Sequence, residues 1–126
     1  MSDGRILIAD DEESMRRILS QVLQEEGYSC VVTATGKDAL EMTRQQDFDL
    51  VLLDLKMPGI TGLEVLSTLN QAHSNICLIV VTGVIDEGII TECMKLGASG
   101  CIIKPFRLEE VVAMVAGALE SKREYQ

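Results

Sequence analysis

The stretch "ILIADDEES", Ile6 to Ser14, carries the key to the fold. Four apolar residues, Ile6 to Ala9, read as a short strand, and they run directly into four carboxylates, Asp10, Asp11, Glu12 and Glu13. A strand with no polar alternation is covered on both faces, which is the habit of parallel sheets. Beyond the acids, Met15, Ile18, Leu19, Val22 and Leu23 recur at helical spacing, with Arg16, Arg17, Gln21 and Gln24 opposite and Gly27 as a stop.

The same strand-then-helix unit repeats along the chain. Further apolar runs predict strands at Ser29–Thr33, Leu50–Leu53, Ile76–Val81 and Gly100–Ile103. Between them, Lys37 to Gln46 reads as a weaker second helix. Thr61 and Glu64 fit a capping box for a third, with Leu63, Leu66 and Leu69 on its core side. Asp86 caps a fourth, with Ile89, Ile90, Cys93 and Met94 inward and Gly97 ending it. Leu108 to about Lys122 makes a fifth, striped by Leu108, Val111, Val112, Val115 and Leu119. Five such units with right-handed crossovers give an α/β, doubly wound parallel sheet with helices on both faces.

Bulk properties narrow the function. The chain has 126 residues, the size of one domain, and is 47% hydrophobic, enough for a core. A net charge of -9 disfavours nucleic acid and anionic membrane as partners and suits a divalent cation instead. No apolar run approaches the ~20 residues of a membrane helix, and the N-terminus lacks a secretory pattern. The expectation is a soluble cytoplasmic protein. Cys30, Cys77, Cys93 and Cys101 form no C-x-x-C pair and read as small buried hydrophobes.

In doubly wound sheets, ligands bind beyond the carboxyl ends of the strands. At those ends stand Asp10 and Asp11, Asp54 after "LVLL", Thr82 in "VVTG", and Lys104 in "IIKP". Three carboxylates, a hydroxyl and an ammonium thus meet at one edge. Crowded like charges are costly, and a hard cation such as magnesium, held by one or two carboxylates and retained waters, relieves them. Lys104 and Thr82 suit a second anion, so the set expects metal plus phosphate. The competing structural roles are weaker. Acidic residues favour a helix start, which fits Glu12 and Glu13 better than Asp10 and Asp11, and His73 in "QAHSN" is given no catalytic role.

On "ADDE" (Ala9 to Glu12), "LLDLKMPGITGLEVL" (Leu52 to Leu66), "VVTG" (Val80 to Gly83), "KLGASG" (Lys95 to Gly100) and "KPF" (Lys104 to Phe106), the chain resembles the receiver domain of two-component response regulators over essentially its whole length, 1–126. The resemblance implies a flavodoxin-like five-stranded sheet of order 2-1-3-4-5. It implies Asp54 as phosphoacceptor from a sensor histidine kinase or phosphotransfer protein, with catalysis confined to the domain's own phosphorylation and dephosphorylation. Mg2+ would be held by Asp11, Asp54 and the backbone carbonyl of Lys56, with Asp10 acting through a water. Lys104 would contact the phosphoryl group, Thr82 would bond it after transfer, and the Lys104-Pro105 peptide would be cis. The output surface, and a possible homodimer surface, would be the fourth helix, fifth strand and fifth helix.

Three positions depart from the family's common form. Cys101, three before Lys104, stands where an aromatic switch residue is usual, so switching is expected to rest on Thr82 and on movement of the loop and helix after it. Lys56 and Val84, two residues after Asp54 and Thr82, offer no carboxylate or amide to orient a hydrolytic water. A long-lived acyl phosphate is expected, and Val84→Glu is expected to shorten its life. A haloacid-dehalogenase-type hydrolase fits poorly, since it wants D-x-D after the first strand. A phosphate-independent module leaves the acid and lysine set unexplained. Two arrangements stay open, a stand-alone regulator and the N-terminal part of a longer one; the charged tail "ESKREYQ", readable as the start of a linker helix, favours the second.

Overall fold

Leucine, isoleucine and valine fill the inner strands because both faces of the sheet are covered. In the computed structural model, which describes residues 4–72, 75–83 and 86–124, β1 (Arg5–Ala9), β2 (Ser29–Thr33), β3 (Leu50–Asp54), β4 (Cys77–Thr82) and β5 (Gly100–Ile103) alternate with α1 (Glu13–Glu25), α2 (Gly36–Gln45), α3 (Gly62–Ala72), α4 (Glu87–Lys95) and α5 (Leu108–Glu124). The strands are all parallel, in the order β2-β1-β3-β4-β5. This is the doubly wound architecture expected from the strand and helix pattern, in the strand order that the family resemblance implies.

Successive side chains of a strand point to opposite faces, so each strand serves two cores. Ile6, Ile8, Leu50, Leu52, Ile79, Val81 and Ile102 pack with Leu19 and Leu23 of α1 and Val111, Val115 and Leu119 of α5. Leu7, Ala9, Val51, Leu53, Leu78 and Val80 pack with Ala39 and Leu40 of α2, Val65, Leu66 and Leu69 of α3, and Cys93 of α4. Burying one such side chain contributes about 1.5–3 kcal/mol, and this double layer holds the strand ends in place. β2 is an edge strand, and Val32 stays exposed there.

The helix boundaries follow local chemistry. Thr61 Oγ1 accepts from the Glu64 amide at 3.2 Å and donates to the Glu64 carboxylate, and Asp86 Oδ1 accepts from the Gly88 amide at 2.8 Å. Gly27 and Gly97 close α1 and α4 at positive φ. α2 begins at Gly36 rather than Lys37, because Thr35 caps it by accepting from the Asp38 amide at 3.1 Å. β3 and β4 each run one residue further than expected, to Asp54 and Thr82, so both polar residues are themselves sheet residues.

Three apolar residues expected in the core are exposed: Ile18, Met94 and Leu108. A helix turns about 100° per residue. Ile18 and Met94 therefore lie that far round from the buried Leu19 and Cys93, off the inward face, and Leu108 is the first residue of α5. His73 and Val84, and the end of the charged tail, lie outside the described residues. Among the described residues, no helix is long and apolar enough to cross a membrane.

Candidate functional site

The carboxyl ends of β1, β3, β4 and β5 converge on Lys104. Its amide donates to the Thr82 carbonyl at 2.8 Å, continuing the β4–β5 ladder past Ile103. The Lys104-Pro105 peptide is cis, as the family resemblance implies. The ammonium stands 3.2 Å from Asp54 Oδ2, 3.3 Å from Asp10 Oδ2 and 3.7 Å from Glu12 Oε1. Asp10 and Asp54 are 2% and 4% exposed, so Lys104 bridges two buried carboxylates.

Each carboxylate is oriented by backbone groups as well. Asp10 Oδ1 accepts from the Glu12 amide at 2.9 Å, and Asp54 Oδ1 accepts from the Lys56 amide at 3.1 Å. The loop after β3 folds back so closely that the Gly62 amide donates to the Leu55 carbonyl at 3.2 Å. A Cβ at Gly62 would lie 2.4 Å from Leu55 Cα and 2.9 Å from the Asp54 carbonyl oxygen. Only glycine fits there, and the start of α3 is thereby seated against the Asp54 backbone.

The electrostatics are in tension. Burial pushes the Asp54 carboxyl above its ordinary range, the nearby Asp10 charge adds to this, and the Lys56 amide and Lys104 oppose it without cancelling it. Burial pulls the Lys104 ammonium down, but attraction to Asp10 and Asp54 outweighs it and the net shift is upward. Such a site holds its cation firmly and still has one carboxylate short of positive charge. Asp10, Asp11 and Glu12 each offer a carboxylate oxygen, all within 4.8 Å of one another. An all-oxygen donor set of this kind fits a hard divalent cation such as Mg2+.

A family model described as the response regulator receiver domain matches residues 6–116. The chain belongs to the response regulator receiver domain family. It is 37% identical over 111 residues to sporulation initiation phosphotransferase F of Bacillus subtilis, covering 88% of this chain and 90% of that one. To the uncharacterized transcriptional regulatory protein YkoG of the same organism it is 36% identical over 119 residues, covering 94% of this chain and 52% of YkoG. It also spans about half, 51%, of the DNA-binding response regulator MtrA of Mycobacterium leprae. The CheY-like receiver domain protein from Methanospirillum hungatei superposes with a TM-score of 0.94 at 27% identity, over 97% of this chain and 98% of that one. The chain is thus a receiver module of two-component systems, and it spans about half the length of YkoG and MtrA.

Within this receiver domain, the structure brings Asp10, Asp54 and Lys104 into direct contact. Thr82 is buried at the end of β4, one residue past Val81, which pairs in register with Asp54. Asp11 is exposed at the mouth of the site beside Asp10 and Glu12. The exposed Lys56 meets the site through its amide. Cys101 lies away from the charged cluster, half-buried on β5 opposite Val80, and packs on the α2–α3–α4 core that includes Cys93. Burial raises its thiol above the ordinary range, which makes it a poor nucleophile.

Two residues were not singled out from sequence. Glu12 does precede α1 as its N-cap, but it makes no side-chain cap; its carboxylate turns to Lys104 instead. Its signal was adjacency to Asp10 and Asp11. Arg16, placed on the polar face of α1, donates from Nη1 to the Asp10 carbonyl at 2.8 Å.

Proposed function

We propose that this receiver domain, spanning 1–126, is a phosphorylation-controlled switch that accepts a phosphoryl group on Asp54 from the phosphohistidine of a sensor kinase or phosphotransfer protein, in a Mg2+-dependent reaction. The observation that carries the proposal is the Lys104 ammonium lying between the buried carboxylates of Asp54 and Asp10 at the strand edge.

Asp54 attacks phosphorus: an O–P bond forms, the donor's N–P bond breaks, and the imidazole leaves with the bonding pair. Ionised Asp54 is the reactive form, and Lys104 and the Lys56 amide are the groups that favour it against burial. Mg2+, when bound, would supply positive charge to the transferring oxygens. Asp11, Asp54 and the Lys56 carbonyl would hold it, with Asp10 acting through water; of these residues, Asp11 and Asp10 lie in the Asp10–Asp11–Glu12 oxygen cluster. Lys104 neutralises a phosphoryl oxygen, so positioning and fixed charge supply most of the acceleration. Thr82 then donates its hydroxyl to the phosphoryl group, and the loop and helix that follow it adjust.

Cys101 replaces the aromatic partner of such a switch, which leaves Thr82 as its main element. The exposed Met94 and Leu108 supply apolar contacts on the α4–β5–α5 surface, which we assign to partner or homodimer contact. The phosphoryl group is long-lived for want of a water-orienting side chain at Lys56 and Val84. The working compartment is the cytoplasm, without direct nucleic-acid binding by this domain.

The test is incubation with Mg2+ and acetyl phosphate, followed by intact mass measurement. One phosphoryl group is expected on the parent and none on Asp54→Ala. No adduct on the parent, or an adduct that survives in Asp54→Ala, would end the proposal.

A further inference from the structure

Asp10 is held at every polar atom. Its amide donates to the Thr33 carbonyl at 3.1 Å, its Oδ1 accepts from the Glu12 amide, and its Oδ2 faces Lys104. Its carbonyl is the remaining group, and it is taken by Arg16 Nη1 at 2.8 Å. That carbonyl belongs to the Asp10–Asp11 peptide. A planar peptide moves as one unit, so the grip on the oxygen also fixes the plane from which Asp11 departs. Asp11 itself is exposed, with no hydrogen bond or ion pair to another described residue.

Arg16 reaches the carbonyl because helical side chains lean toward the N-terminus. Its own amide is bonded to the Glu12 carbonyl at 3.1 Å, so the arginine spans the β1–α1 loop from a fixed base. Its neighbour Arg17 carries the same charge but, among the described residues, pairs only with Glu13, at 2.9 Å on the exposed face.

The geometry points to Arg16 as a positioning residue: by holding the Asp10–Asp11 peptide, it preorganises the Asp11 carboxylate for a divalent cation. The inference rests on the function proposed above. Arg16 does not touch the cation; it acts through Asp11. Outer groups of this kind commonly set metal affinity by about 10-fold or more when removed.

Charge and positioning predict opposite signs here. Arg16→Met removes a positive charge close to a cation site, which by simple electrostatics tightens Mg2+. If positioning dominates, Arg16→Met weakens it.

The experiment is Mg2+ titration by calorimetry on the parent, Arg16→Met, Arg16→Lys and Arg17→Met. Acetyl phosphate labelling across Mg2+ concentration runs alongside. The expected result for Arg16→Met is a roughly 10-fold higher dissociation constant, a matching rise in half-saturating Mg2+, and an unchanged labelling rate at saturating Mg2+. Arg16→Lys, which keeps a donor, should recover part of the loss, and Arg17→Met should match the parent. Arg16→Gln serves in place of Arg16→Met if the latter does not fold.

Mg2+ binding by Arg16→Met as tight as the parent's, or tighter, overturns the inference. So does a loss shared equally by Arg17→Met, or one confined to the rate at saturating Mg2+. A parent that binds no Mg2+ or takes no phosphate on Asp54 overturns the function itself, and the two failures are distinct.

Discussion

Replacing Lys104 by methionine tests whether the site is held by one cation shared between two acids. At 3.2 and 3.3 Å, each Lys104–carboxylate attraction is about 5 kcal/mol in a medium of effective dielectric ~20. Desolvation of the three groups takes back most of it. Removing one partner of a fully buried ion pair typically costs about 3–5 kcal/mol, because the other charge is left uncompensated. The Lys104 side chain is 18% exposed, and Asp54 already binds its proton more tightly than an ordinary carboxyl. Protonation of Asp54 therefore limits the loss, and we expect Lys104→Met to be less stable by about 2–3 kcal/mol. The assay is urea unfolding at pH 7.5 in chelator, repeated at acid pH and with Mg2+. The deficit should shrink at acid pH, where the carboxylates are neutral in both proteins. It should also shrink with Mg2+, which supplies the missing positive charge. Coincident unfolding curves at pH 7.5 would refute the reasoning, since the two buried carboxylates would then not depend on Lys104.

Other outcomes follow from the same geometry. The folded Asp54 carboxyl is raised above its unfolded value, so its stabilising contribution is complete below the unfolded value and is lost as pH rises through the folded one. Asp54→Asn should therefore be more stable than the parent by about 1 kcal/mol at neutral pH in chelator, and the gap should close on acidification; a gap that widens in acid contradicts the sign. Gly62→Ala places a methyl against the Leu55 and Asp54 backbone and should cost about 2 kcal/mol or more in thermal unfolding. It should also slow acetyl phosphate labelling by displacing Asp54, and normal behaviour in both assays would count against the seat described for α3. Cys101→Ala should leave phosphate acceptance and partner binding intact at a cost of about 1 kcal/mol; partner binding lost with labelling intact would show that Cys101 itself transmits the signal.

The sheet was legible because its strands meet two cores at once. "LVLL" has no polar position to offer a solvent face, and the same holds for "ILIA" and "IVV". Their polar end residues then marked one edge, and Asp10, Asp54 and Lys104 were readable as a group from topology alone. The helix surfaces were less legible. Ile18 satisfies helical spacing as well as Leu19 does, but only packing decides that α1 turns Leu19 inward and leaves Ile18 at the flank. Thr35 was hidden because a weak helix beginning at glycine gives little signal apart from its cap. Glu12 and Arg16 were read by their helix positions, which are correct, while their partners are fixed by the bend of the β1–α1 loop. That bend brings Glu12 to Lys104 and Arg16 to the Asp10 carbonyl, and no periodicity encodes it.

The distribution of charge explains why the acids of "ADDEES" differ in kind. Asp10 is buried and fully engaged: its backbone is held by Thr33 and Arg16, and its carboxylate cannot swing outward without breaking two contacts, to the Glu12 amide and to Lys104. Asp11 is exposed and can meet a cation with little desolvation cost. Glu12 lies between them in role, since its carboxylate faces Lys104 and also lies in the oxygen cluster. An incoming phosphoryl group would compete with Glu12, Asp10 and Asp54 for the same ammonium. At rest Lys104 is neutralised by these carboxylates, and under the proposed function an incoming phosphoryl group would replace one anion at the ammonium with another, so that the buried cation stays paired. That requirement, more than the count of acids, is what places a lysine from the end of β5 opposite carboxylates from the ends of β1 and β3.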